Sequence, residues 1–429
     1  MRLGGRLAAA IEVLDDIERR HRPAADALKD WGLSHRFAGA GDRAAIGNIV
    51  YDALRRKRSA AWLLGAETSR ALGFGALILE WGQTPASLDA ALAGDRFAPE
   101  PLTADEKTGI AARDLAHAPD AVRADCPDWC VPNLKEAFGD DWVAETAALS
   151  GRPPLDLRVN PLRAAREKVL GELAGTGAAA AALAPFGIRI PPIEGAGRHP
   201  NVQAEPAFQK GWFEVQDEGS QIAAELAGAT PGMQVLDFCA GAGGKTLALS
   251  AAMDNRGQVF AHDSDKSRLA PIFDRLRRAE SRNVQVVAKP AELAPLAGEM
   301  DLVVIDAPCT GAGTWRRRPD AKWRLSPRQL ETRVAEQAAI LDAATVYVKP
   351  GGRLCYITCS VFAEENARQV AAFLGRHRDF AAADHAALWQ AHFPGRQDTV
   401  RVEAGLGLAL GPLRTGTDGF FFSALDRRG

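Results

Sequence analysis

Five short apolar runs, QVLDF, GQVFAHD, NVQVVA, DLVVID and GRLCYITCS, fall between residues 234 and 360, with helical stretches between most of them. That alternation is the strongest constraint on the fold. It predicts an α/β architecture with a mainly parallel, doubly wound sheet from about Val215 to the end. In such sheets ligands sit at the carboxyl ends of the strands. The loops that matter therefore follow Phe238, His262, Ile305 and Thr358.

The rest of the chain reads differently. Leu7, Ile11 and Leu14 repeat at i, i+4 and i+7, and GNIVYDALRRKRSAAWLLGA carries another long apolar stripe, so the first 120 or so residues read as helical. The run Arg55, Arg56, Lys57 and Arg58 is expected to be a solvated helix face, with contact to an RNA backbone as the alternative. Beyond it the pattern is mixed. LDLRVN and FGIRI read as strands, AAREKVLGELA as a helix and EGAGRHPNVQAEP as a loop. A chain of 429 residues has room for two or three domains, and these shifts place them at 1–125, 126–210 and 211–429.

Composition narrows the function classes. The net charge is −2, so any nucleic acid must be met by local basic patches. Glu12, Asp15 and Asp16 interrupt the amino-terminal apolar stretch, which argues against a signal peptide or a membrane span. Six cysteines in so long a chain make no disulfide framework and suggest free thiols in a cytoplasmic protein. Cys126 and Cys130 have no second pair nearby, so no metal site is expected. Cys355 lies an even number of residues from Cys359 on a predicted strand and is expected in the core.

The loop DFCAGAGGKT resembles a phosphate cradle but is not one. A P-loop needs a glycine five positions before Gly244, where Cys239 stands, and a dinucleotide fingerprint needs a third glycine where Thr246 stands. What remains is an acid, Asp237, ending a strand ahead of a turn of small residues. Asp263 follows 20 residues after Gly243, at the end of the next strand, where a carboxylate can take both hydroxyls of a ribose. A small-residue turn with a ribose acid and no phosphate cradle suits S-adenosylmethionine.

Cys309, in DAPCTGAG, and Cys359, in YITCS, each stand just past a predicted buried strand, on the same sheet edge as the glycine loop. The chemistry that fits is methylation at carbon 5 of a pyrimidine. Carbon 5 is a poor nucleophile until a thiolate adds to carbon 6. Asp306, near ring nitrogen 3 and the exocyclic amine, would stabilise the adduct and favour cytosine. The base must also leave its stack to reach such a pocket.

DFCAGAGGKT, DAPCTGAGTWRRRPDAKW, YITCSVFAEEN and DGFFFSAL resemble the motifs of the Sun-type RNA cytosine-5 methyltransferases, in particular the bacterial subgroup acting on small-subunit ribosomal RNA. The resemblance implies a Rossmann-like S-adenosylmethionine-dependent methyltransferase domain over 211–429. It also implies a small α+β RNA-binding subdomain and an all-α NusB-like RNA-binding domain at the amino terminus. By the same resemblance Cys359 is the nucleophile, Cys309 assists release of the methylated base, and Asp306 contacts base and cofactor. Cys239, Ala240, Gly241, Ala242, Gly243, Gly244 and Lys245 line the cofactor, and Asp263 holds its ribose. The expected partner is ribosomal RNA, with no metal and no membrane, and the chain is expected to act as a monomer.

Two positions depart from that pattern. Gly241 and Ala242 stand where the family usually has Ala-Pro. The third strand lacks its terminal acid, offering Ala288, Lys289 and Pro290 with Glu292 as the substitute. Arg316, Arg317 and Arg318 are expected to meet phosphates beside a flipped base, while Trp315 and Trp323 fit base stacking and core packing equally. Two other readings compete. In a DNA cytosine methyltransferase Cys309 would be the nucleophile, and in a non-catalytic ribosome-assembly or antitermination-like RNA-binding protein the altered third strand would mark lost activity.

Overall fold

The computed structural model describes residues 1–429, and its contacts divide the chain into two compact units. The first comprises Met1–Pro153, Pro192–His199 and Trp315–Ser326. It is built on five principal helices, α1 (Leu3–Arg20), α2 (Ala24–Ser34), α3 (Ala40–Arg55), α4 (Lys57–Leu64) and α5 (Ser69–Trp81). On α1 the buried residues Leu7, Ala10, Val13, Leu14 and Ile17 recur every three or four positions, forming one apolar stripe. That stripe packs with Ile46 and Ile49 of α3 and Phe74 and Leu77 of α5 into a single core. The amino-terminal region is thus helical, as its periodicity predicts.

The charge run between α3 and α4 is not a solvated face. Arg55 is buried and pairs with Asp52 at 3.2 Å, and Arg56 pairs with Glu80. Lys57 meets Glu18 at 3.1 Å and Arg58 meets Asp128 at 2.7 Å. Arg55 thus pairs within α3, while the break between the two helices turns Arg56, Lys57 and Arg58 towards carboxylates on other elements. The segment around the second arginine run also packs within this unit. Trp315 is buried, the Trp323 indole donates to the Leu54 carbonyl at 2.6 Å, and the buried Arg316 has its carbonyl held by Arg55 Nη2 at 2.8 Å. Of the two readings for the tryptophans the structure takes core packing, and of the three arginines only Arg318 is exposed. Lys322, held off water between Trp315 and Trp323, donates to Ser150 Oγ at 2.9 Å. Its burial lowers its pKa to about 8.

The second unit comprises Pro154–Pro191, Pro200–Thr314 and Pro327–Gly429 and holds two sheets. The smaller has strands β1 (Leu155–Val159), β2 (Ala179–Ala180), β3 (Gly187–Ile190) and β4 (Phe213–Val215) in the order β2-β3-β1-β4, all antiparallel, with a helix at Arg166–Glu172. The larger contains β5 (Gln234–Asp237), β6 (Gln258–His262), β7 (Val284–Val287), β8 (Met300–Asp306) and β9 (Val348–Thr358), which are the five predicted runs, each parallel to its neighbours among the five. Their side chains alternate between the two faces. Val235, Val304, Cys355 and Ile357 join one core, and Leu236, Val303, Ile305, Leu354 and Tyr356 the other. Cys355 is therefore a core residue.

The expected parallel sheet is extended by an antiparallel wing. β10 (Phe380–Ala382), β11 (Arg401–Glu403), β12 (Gly407–Leu410) and β13 (Phe420–Arg427) complete the order β11-β12-β13-β9-β8-β5-β6-β7, with β10 also on β13. The connection between β11 and β12 is a three-residue turn at 404–406, too short for the crossover that parallel pairing requires. From β5 the chain winds outward to β6 and β7, then returns to the other side of β5 as β8. The order reverses between β5 and β8, so the crevice at their carboxyl ends, where such sheets bind ligands, lies between Asp237 and Asp306.

Candidate active site

The loop after β5 fills that crevice. Gly241 and Gly243 have φ of +50° and +83°, and a Cβ on Gly243 would stand 2.5 Å from Ile272 Cγ1, so the turn needs glycine there for conformation and for space. Two arginines clasp the loop's carbonyls. Arg275 donates to Ala242 O at 2.8 Å and Arg158, from β1, to Gly244 O at 2.8 Å. Burial lowers the Arg158 pKa to about 10. A cleft of about 190 Å³ opens against this loop, lined by Asp237, Cys239 to Ala242, Gly244, Lys245 and Asp306, with Gln216, Ser220 and Arg268 added. The structure thus brings together all the expected cofactor residues except Gly243 and Asp263.

Asp263 lies behind the loop. It is buried, and its Oδ2 accepts the Gly241 N–H at 2.9 Å while Oδ1 accepts that of Asp265 at 2.9 Å. In this geometry it fixes the turn. Arg268 stands 4.0 Å from the same carboxylate and forms part of the cleft wall.

Asp237 carries the main electrostatic feature of the site. It is fully buried, Oδ2 accepts the Thr246 hydroxyl at 2.6 Å, and Oδ1 has no partner. Burial raises its pKa to about 7, against the hydrogen bond from Thr246, with the charge of Asp306 acting in the same direction as burial. Beside it the buried Lys245 donates to Asp306 Oδ2 at 2.8 Å and to Ser220 Oγ at 3.1 Å. The crevice therefore holds one anchored ion pair and one carboxylate short of a donor.

The two cysteines meet next door. β8 and β9 are parallel neighbours with Asp306 opposite Ile357, so the chain three residues beyond one faces the chain two residues beyond the other. The sulfurs of Cys309 and Cys359 are 3.4 Å apart and within hydrogen-bonding distance, both half-buried. The bond to Cys359 and burial together raise the Cys309 pKa, so Cys309 keeps its proton. The charge of Glu365 adds to that shift.

Both loops are locked by one dipeptide that the sequence reading did not single out. Glu365, fully buried, accepts from Thr310 N at 2.8 Å, from the Thr310 hydroxyl at 2.6 Å and from Gln337 Nε2 at 3.0 Å. Its neighbour Asn366 accepts the Thr358 hydroxyl at 2.6 Å and donates to Ser360 O at 3.0 Å, bracketing Cys359 on both sides. The available signal was an acid and an amide six and seven residues past Cys359.

Comparison with known proteins gives the family. The family model for 16S rRNA methyltransferase RsmB/F matches residues 226–426, and that for the RsmF/B-like ferredoxin-like domain matches residues 126–192. The ribosomal RNA small subunit methyltransferase B of Klebsiella pneumoniae is 34% identical over 307 residues, an alignment covering 70% of this chain and 66% of the relative. The chain belongs to the RsmB/F methyltransferase family. The probable methyltransferase B of Synechocystis is 33% identical over 317 residues, with the same coverage, so the match spans just under two thirds of either relative's length. Among solved structures, NSun6 from Pyrococcus horikoshii, determined with SFG, superposes with a TM-score of 0.60 at 21% identity, covering 71% of this chain and 98% of that one. That likeness is one of fold, and the Rossmann-like domain is common to both.

Within the RsmB/F pattern the two departures sit differently. Gly241 adopts a left-handed conformation that the cleft wall uses. Ala288, Lys289 and Glu292 beyond β7 are not among the residues lining the cleft, and Glu292 points to solvent. Cys126 and Cys130 are buried in the helical unit, where Cys130 Sγ donates to Pro127 O at 3.1 Å.

Proposed function

We propose that the chain transfers a methyl group from S-adenosylmethionine to carbon 5 of a cytosine in small-subunit ribosomal RNA, through a covalent adduct on Cys359. The observation that carries this reading is the 3.4 Å pairing of Cys309 with Cys359 beside a cleft containing a partnerless carboxylate. The residues present fit the cofactor. The bare Oδ1 of Asp237 lacks a donor, which an ammonium group would provide, and the glycine turn leaves the backbone open to close approach. Cys239 to Ala242, Gly244 and Lys245 would line it, with Asp306 between it and the base, and Asp263, to hold its ribose, would have to give up the Gly241 N–H that it accepts here. When bound it supplies an electrophilic methyl group. A neighbour of the same fold was solved with SFG, an S-adenosylmethionine analogue, which supports the assignment.

The chain's own residues do the rest. Cys359 adds as a thiolate to carbon 6, making a C–S bond and moving the C5=C6 π electrons to carbon 5, which then has the electron density to take the methyl. After transfer the carbon 5 proton leaves to water, its electron pair re-forms the double bond, and the C6–S pair returns to Cys359. Cys309, kept as a thiol by its surroundings, donates a hydrogen bond to that departing sulfur. Asp306, at the end of β8, would face ring nitrogen 3 and the exocyclic amine. The helical unit and the small antiparallel sheet are proposed to bind RNA.

The test is a trap. Cys309→Ala, incubated with a small-subunit ribosomal RNA transcript and S-adenosylmethionine, should leave RNA attached to protein as a shifted band on a denaturing gel. The shift should vanish on ribonuclease treatment and in the double variant with Cys359→Ala. No shift, together with no cofactor binding by calorimetry, favours a non-catalytic RNA-binding protein.

A further inference from the structure

We infer that Glu365 and Asn366 are positioning residues acting on opposite steps of the cycle, Glu365 on release through the Cys309 loop and Asn366 on attack through the Cys359 loop. The inference rests on the reaction proposed above. Its basis is the separation of their bonds. The Glu365 carboxylate accepts from Thr310 and Gln337, and Gln337 in turn donates to Pro308 O at 3.0 Å, so the residues on both sides of Cys309 are held from one point. The Asn366 side chain bonds only the two residues flanking Cys359. Adjacent in sequence, the two share one backbone anchor, and the Glu365 carbonyl accepts the buried Tyr356 hydroxyl at 2.7 Å.

The consequence for chemistry follows from what each loop must do. Attack at carbon 6 requires Cys359 to hold a near-attack position, where a displacement of about 1 Å can cost on the order of a hundredfold. Release requires the Cys309 S–H to stay aimed at the Cys359 sulfur and to stay protonated. The Glu365 anion does both, through Thr310 and through its field. A glutamine there accepts through one oxygen only and carries no charge.

The experiment compares steady-state adduct on denaturing gels for wild type, Cys309→Ala, Glu365→Gln, Thr310→Val and Asn366→Ala, with cofactor affinity measured alongside. Glu365→Gln should slow turnover and raise the adduct about fivefold or more over wild type, and Asn366→Ala should lower it about tenfold or more. Cofactor affinity should remain within about twofold. Thr310→Val attacks the same contact from a half-buried position, so the inference stays testable should the buried glutamate variant fail to fold, and it too should accumulate adduct. Thr310→Ser, which keeps the hydroxyl, should accumulate less than Thr310→Val. A purely structural role would move adduct in the same direction in the Glu365 and Asn366 variants, and that result, or no change in either, overturns the inference. Adduct in Cys309→Ala without adduct in Glu365→Gln or Thr310→Val refutes it while leaving the reaction standing. Absence of adduct in Cys309→Ala itself sinks the reaction and the inference together.

Discussion

The two halves of the sheet's carboxyl edge are built on opposite plans. Between β5 and β8 the crevice keeps a buried carboxylate with a bare oxygen, a pKa pushed up to about 7 and a cleft in front of it. Between β8 and β9 the polar groups around the cysteines are bonded to one another, from Thr310 and Glu365 to Thr358 and Asn366. The first half is incomplete without a ligand. The second is complete and preorganised, as a site must be if its nucleophile is to work without first rearranging. A binding half that gains its last partner from the cofactor and a chemical half fixed in advance divide the labour of the proposed reaction.

The sharpest way to break this comparison is on the chemical half. Cys359→Ala should lower methyl transfer to RNA by roughly 10³-fold or more, because in the proposed reaction it alone activates carbon 5, while cofactor affinity stays near that of wild type. Labelled-methyl incorporation and calorimetry report the two quantities separately. Loss of both together would mean that the halves are not independent.

On the binding half, Asp237→Asn should weaken the cofactor by about ten- to a hundredfold, the worth of a hydrogen bond to a charged group. At pH 8 the same change should raise the melting temperature of the unliganded protein, because an ionised carboxylate with a bare oxygen is removed from the interior. A variant both more stable and unable to bind would identify Asp237 as held in wait for a ligand. One that lost stability would show that the carboxylate is structural.

The pH dependence follows with its sign. Burial raises the folded pKa of Asp237 to about 7, above the ordinary carboxylate value of 3.8, so the folded state binds the proton more tightly than the unfolded state. Its contribution to stability is fully present below pH 3.8, falls as pH rises to about 7 and is level above that. Denaturant titrations from pH 5 to 8 should show this slope in wild type and lack it in Asp237→Asn. Cofactor uptake near pH 6.5 should release protons in wild type, which calorimetry in buffers of different ionisation enthalpy detects.

The smallest expected effect is at the position proposed from sequence as a substitute acid. Glu292 is exposed and outside the cleft lining, so Glu292→Gln should change cofactor affinity by less than about twofold. A tenfold loss would restore it to the adenine end.

How much of this was legible in the sequence depended on whether the signal was local. The five parallel strands announce themselves as apolar runs, and Cys309 and Cys359 stand at their ends, so the cofactor loop and the cysteines could be found from spacing and motif alone. The antiparallel wing was missed because short strands after a helix carry no sign of their pairing partner. Arg56, Lys57 and Arg58 looked solvated because their partners, Glu80, Glu18 and Asp128, are distant in sequence, and a charge run reads the same whether it meets water or carboxylates. Arg316 was expected at phosphates, and its burial depends on α3, equally distant in sequence. Glu365 stood inside a quoted motif, yet its role lies in bonds to a residue 55 positions earlier, which no local pattern reveals.

The central claim is that Cys359, and not Cys309, bonds to the base. Carbon-5 fluorine cannot leave as a cation, so wild-type protein given small-subunit ribosomal RNA containing 5-fluorocytidine, with S-adenosylmethionine, should stop at the adduct. Digesting that complex and locating the nucleotide by mass spectrometry decides the matter. The account predicts the added mass on the peptide containing Cys359 alone; the same mass on the peptide containing Cys309, or no adduct from a protein that still methylates ordinary RNA, contradicts it.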